Sequence, residues 1–142
     1  MSLTFSVLGT ARPQGSKRHV GGGRMVEMGK DLKPWRSAIG MEAANAMTEQ
    51  PWTCPVRVKL TFFLIRPKGH FGTGRNALTL KPSAPRFPSS TPDLDKLVRA
   101  VLDALTGIAF RDDGQVQALD CMKLYADEHY PGVVVEVVPR GG

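Results

Sequence analysis

A chain of 142 residues in which 42% are apolar and 23% charged has an ordinary globular composition, which excludes disordered and fibrous classes. Its length fits one domain spanning residues 1–142. No apolar run approaches the roughly 20 residues that cross a bilayer, so a cytoplasmic protein without a membrane partner is expected.

Leu3–Leu8 is short, rich in β-formers and stops at Gly9, which predicts a strand and not a charged-then-apolar leader. From about residue 10 to 33 the chain turns glycine-rich and basic, an exposed flexible loop with a hairpin near Gly21–Gly23. Pro34 then suits the first position of a helix over Pro34–Thr48, with Trp35, Ala38, Ile39, Ala43 and Met47 at helical spacing. Val56–Ile65 alternates apolar residues with Arg57, Lys59 and Thr61, the pattern of a strand. A second long basic loop covers about residues 66–90.

The clearest helix follows, because Leu94, Leu97, Val98, Val101, Leu102 and Leu105 form one continuous apolar stripe, opened by Thr91-Pro92 and closed by Gly107. Two further strands are expected over Val116–Tyr125 and Val133–Val138. Together these elements predict an α+β fold: a mixed β-sheet of four or five strands with two main helices packed on it. Trp35 and Trp52 read as core or interface aromatics. Cys54 and Cys121 have neither CxxC spacing nor a nearby histidine pair, so partly buried reduced thiols are expected in place of a zinc or redox site.

The net charge of +6 favours a polyanion as partner through counterion release, although many basic proteins bind no nucleic acid. Against that background the carboxylates cluster: Asp93 and Asp95 at a helix start, Asp103 two turns on, and Asp112-Asp113 in the turn beyond. A hard cation such as Mg²⁺ prefers this kind of oxygen donor. Asp is also at home in a helix's first turn, and Asp-Asp-Gly is an ordinary turn, so spacing alone leaves a structural reading open. Asp103, four residues after Arg99, reads as part of a surface ion-pair ladder.

The run Thr91-Pro92-Asp93-Leu94-Asp95-Lys96-Leu97-Val98-Arg99, continued by Asp103-Ala104-Leu105 and then Asp112-Asp113-Gly114-Gln115-Val116, resembles the signature of the RusA family of Holliday junction resolvases. That pattern is approximately P-D-x-D-N-L-x-K-x-x-x-D-A-L followed by D-D-x-Q-V. Upstream, the basic stretch Arg12–Arg18 is similar to the N-terminal loop of phage-encoded members, which implies a phage or prophage origin in a bacterial host. The resemblance implies Mg²⁺ dependence (with Mn²⁺ as the alternative), a homodimer, and paired nicking of branched DNA such as four-way junctions in recombination and repair. It assigns metal binding to Asp93, Asp95 and Asp113, and an auxiliary role to Asp112.

Two positions depart from the family pattern. Lys96 stands for the usual Asn, and Arg99 for the usual catalytic Lys. An Arg can stabilise charge on a phosphate but is a poor proton shuttle, which leaves open whether Arg99 or Lys96 takes that part. DNA backbone contacts are expected from Arg12, Lys17, Arg18, Arg24, Lys68 and Arg75, with Lys81 as a further cation and His70 and Phe71 as stacking or wedging groups. Two rival readings are a non-catalytic basic DNA-binding protein and an aspartyl phosphatase. The second requires its D-x-D directly after a buried strand, whereas Pro88–Pro92 precedes it here.

Overall fold

A computed structural model of the chain describes residues 1–15, 17–20, 24–27 and 31–141. The elements in chain order are β1 (Leu3–Leu8), β2 (Lys17–Val20), β3 (Arg24–Glu27), α1 (Leu32–Ala46), β4 (Val56–Leu64), α2 (Leu94–Leu105), β5 (Val116–Tyr125) and β6 (Gly132–Pro139). The fold is α+β, with a four-stranded mixed sheet in the order β1-β6-β4-β5 and a separate β2-β3 hairpin. β6 runs antiparallel to both β1 and β4, while β4 and β5 are parallel and joined by the crossover that carries α2.

One face of the sheet is the core. Alternation puts Val56, Val58, Leu60 and Phe62 of β4 on that face, beside Val133, Val135 and Val137 of β6 and Leu3 and Val7 of β1, all buried. Leu32, Trp35, Ile39 and Ala43 of α1 and Leu97, Val98, Val101 and Leu105 of α2 cover it. Ala100 of α2 is fully buried as well. Among the described residues, no helix is long and apolar enough to cross a membrane.

Two expectations need correction. α1 begins at Leu32, two residues before Pro34, because Leu32 is itself a core residue and proline is tolerated throughout a first turn whose N–H groups lack partners. Asp103 pairs across helices with Arg36 at 3.9 Å and accepts from the Gln14 amide, not from Arg99 one turn away. The long basic loop over residues 66–90 holds two single 3₁₀ turns, Lys68–His70 and Gly74–Asn76, and a bridge between Phe71 and Leu80.

The long loop is pinned by Arg66, whose side chain is 5% exposed. Its guanidinium makes a two-point contact with Asp127 at 2.7 and 2.9 Å, donates to the Pro85 carbonyl at 2.7 Å and lies 4.1 Å over the Tyr125 ring. The hydrogen bond from Arg66 holds the Asp127 carboxyl below its usual range. A carboxylate depressed in this way stabilises the fold above its unfolded pKa and loses that contribution as pH falls through the folded value. Arg66→Met is therefore expected to lower the melting temperature at neutral pH. Its deficit should narrow as pH falls below the ordinary carboxylate range and on through the depressed value of folded Asp127. Calorimetry of both proteins from pH 7 to pH 2 checks this, and a constant deficit would mean that the pair contributes nothing.

Candidate active site

The apolar stripe of α2 is wider than the sheet beneath it. β5 is an edge strand, and its Leu119 and Cys121 lie opposite Val58 and Leu60 in register, on the helix-bearing side. α2 covers them incompletely, leaving Leu119 46% exposed. The result is a cleft of about 580 Å³ between α2 and β5, with Leu94, Val98, Leu102, Leu119 and Cys121 as apolar walls.

Three charged groups enter this cleft: Asp95 and Arg99 from α2, and Asp113 from the turn before β5. Asp95, Val98, Arg99 and Leu102 recur at helical spacings of three and four, so one side of α2 supplies both charge and wall. Asp113 arrives through the chain's return along β5. Burial pushes the Cys121 thiol pKa up, in keeping with its place in the apolar wall.

The turn that presents Asp113 is tightly held. Gln115 donates from its amide nitrogen to the carbonyls of Trp52 at 2.8 Å and Cys54 at 2.9 Å. Its amide oxygen accepts from the backbone N–H groups of Arg111 at 2.9 Å and Asp112 at 3.0 Å. Every bonding position of the amide is used. Asp112 completes a reciprocal capping box with Gln115, so its carboxylate serves the turn. Only the Asp-Asp-x-Gln spacing hinted at Gln115, because the carbonyls that its amide nitrogen meets lie more than 60 residues away.

Asp93 occupies the N-cap of α2 yet makes no side-chain capping bond, so the ordinary structural use of Asp at that position is not in force. It forms an ion pair with Lys96 at 3.6 Å instead, and neither residue lines the cleft. Asp95 and Asp113 are thus brought to one site, with Asp93 beside it at the helix start. Among the described residues, no group of three or more His, Cys, Asp or Glu is close enough to form a metal cage by itself.

The basic segments approach the same helix. Gln14 donates its backbone N–H to the Lys96 carbonyl at 2.9 Å, and its side chain is gripped by Arg36 at 2.8 Å and by Asp103. The backbone at Lys17 begins three residues later and so lies within about 11 Å of Gln14. The side chains of Lys17, Arg18 and Arg24 lie outside the described residues. Arg12 forms an ion pair with Asp31 at 3.5 Å, while Lys68, Arg75 and Lys81 are exposed on the long loop. His70 takes part in the loop anchor, with its Nδ1 3.2 Å from Arg66 and its ring edge-on to Tyr125.

Comparison with known proteins adds two findings. The family model described as Endodeoxyribonuclease RusA matches residues 5–138. The uncharacterized protein YqaN of Bacillus subtilis (strain 168) is 28% identical over 140 residues, covering 96% of each chain.

Proposed function

The chain belongs to the endodeoxyribonuclease RusA family, and on that premise we propose that it is a Mg²⁺-dependent, structure-specific endonuclease that resolves four-way DNA junctions by paired nicks as a homodimer. The observation that carries the reading is the entry of Asp95 and Asp113, from separate stretches of chain, into one cleft beside Arg99.

The donor set fits the metal. Mg²⁺ takes one or two protein carboxylates and completes its shell with water and substrate phosphate, and Mn²⁺ accepts the same ligands. Asp95 and Asp113 would hold it, with Asp93 as the adjoining third carboxylate once Lys96 turns toward DNA phosphate. When bound, such an ion neutralises charge on the phosphate and lowers the pKa of the attacking water. Arg99 donates to the scissile phosphate and stabilises its developing charge without transferring a proton. Lys96, on the same helical turn, is the nearer source of a titratable amine. The apolar walls formed by Val98, Leu102 and Leu119 lower the local polarity on one side of the site and so strengthen these charge interactions.

Arg12, Lys17, Arg18, Arg24, Lys68 and Arg75 supply sequence-independent backbone contacts. A four-way junction has near two-fold symmetry and must be cut on two opposed strands, which a C2 dimer matches with two related sites. The test is incubation of the purified protein with a synthetic four-way junction, a flap and a linear duplex, with and without Mg²⁺. Paired, metal-dependent nicks on the junction are expected. Binding without any metal-dependent product would favour the non-catalytic DNA-binding reading.

A further inference from the structure

Asp93 and Asp95 stand on a turn that α2 cannot hold by itself. The Thr91–Pro92 peptide precedes it, Asp93 makes no capping bond, and Leu97 N–H to the Asp93 carbonyl at 3.1 Å belongs to the helix proper. What meets the turn from outside is Lys123. Its ammonium donates to the carbonyl of Ser90 at 2.6 Å and to that of Pro92 at 2.9 Å. Lys123 lies on β5 opposite Phe62 and two residues beyond the cleft residue Cys121, so its stem rises from the helix-bearing face of the sheet. Phe62 is fully buried, which gives the clamp a rigid base.

The geometry points to Lys123 as a positioning residue that fixes the Ser90–Pro92 turn and thereby sets Asp93 and Asp95 against Asp113. The inference rests on the nuclease reading above and deepens it. Two carbonyls bonded to one ammonium are charge-assisted contacts, stronger than neutral ones, and they act on the backbone immediately before the first carboxylate. The complementary half of the site is held by Gln115, immediately before β5 begins. One strand and its lead-in therefore set the register of both carboxylate-bearing turns.

Lys123→Met keeps the length and apolar stem of the side chain and removes the donors. Three quantities decide the matter: Mn²⁺ binding to the DNA-free protein by electron paramagnetic resonance, kcat and KM on a four-way junction, and the melting temperature. Groups that orient metal ligands typically govern affinity or activity by about 10–100-fold, so the Mn²⁺ midpoint should rise and kcat should fall by that order. KM for the junction should stay within about twofold, since no DNA contact is lost. Lys123→Arg, which can reach both carbonyls, should recover most of the loss. An unchanged Mn²⁺ midpoint in folded Lys123→Met overturns the positioning role. So does equal loss in the Met and Arg variants together with a collapsed melting temperature, which would make Lys123 a fold residue. A wild type that binds Mn²⁺ but cuts no junction overturns the nuclease reading and leaves the Mn²⁺ midpoint to decide on Lys123. A wild type that binds no Mn²⁺ overturns both.

Discussion

Asp95→Asn is expected to remove metal-dependent junction cleavage while leaving junction binding intact or tighter. The substitution preserves the shape of the side chain in the first turn of α2 but takes away the negative charge in the cleft shared with Asp113 and Arg99. A neutral amide is a poor ligand for Mg²⁺, so the loss should exceed the roughly 100-fold seen when a group that only orients a ligand is removed. Binding should hold or improve because one negative charge no longer faces the phosphates. Cleavage is followed on labelled junctions, and binding by gel shift in the presence of Ca²⁺. Parallel loss of both, accompanied by a lower melting temperature, would reduce Asp95 to a structural residue.

The largest expected effect on stability comes from a residue far from the cleft. Gly132 opens β6 at φ +150°, and a Cβ built there would stand 2.0 Å from the carbonyl oxygen of Val7 in β1. Backbone, not a flexible side-chain end, is what it meets, and the pairing of Leu8 with Gly132 fixes the two strands against each other. Strain at the dihedral and overpacking between strands act together, so Gly132→Ala should cost roughly 3–5 kcal/mol. Gly69→Ala is the matched control, since a Cβ at that position meets nothing within 4 Å. Urea unfolding of the two variants checks this, and equal midpoints would show that β1 yields without cost.

What could be read from the chain alone divides by the range of the interaction. The stripe of α2 and the alternation of β4 were legible because burial repeats at a local period, and both elements appear within a residue or two of their expected bounds. The Asp93, Asp95 and Asp113 set came from a motif whose spacing spans one helix and one turn, and the cleft now holds two of its three members. The place of β6 between β1 and β4 could not be read, because its partners are set by pairing between opposite ends of the chain. The start of α1 was misplaced because Pro34 is a strong local signal and the burial of Leu32 is a tertiary one. Lys123 and Arg66 were silent for a related reason, and Gln115 showed only through its place in the Asp-Asp-x-Gln spacing. Each is an isolated polar residue whose partners are backbone carbonyls or a carboxylate far away in sequence.

The proposed nuclease requires one divalent ion held by both Asp95 and Asp113. Crystals of the wild type soaked in Mn²⁺ and measured at the manganese absorption edge would locate it directly. The expected result is an anomalous peak in the cleft between α2 and β5, in bonding contact with both carboxylates. A peak bound elsewhere, or a cleft without manganese at concentrations that support cleavage, would contradict the account.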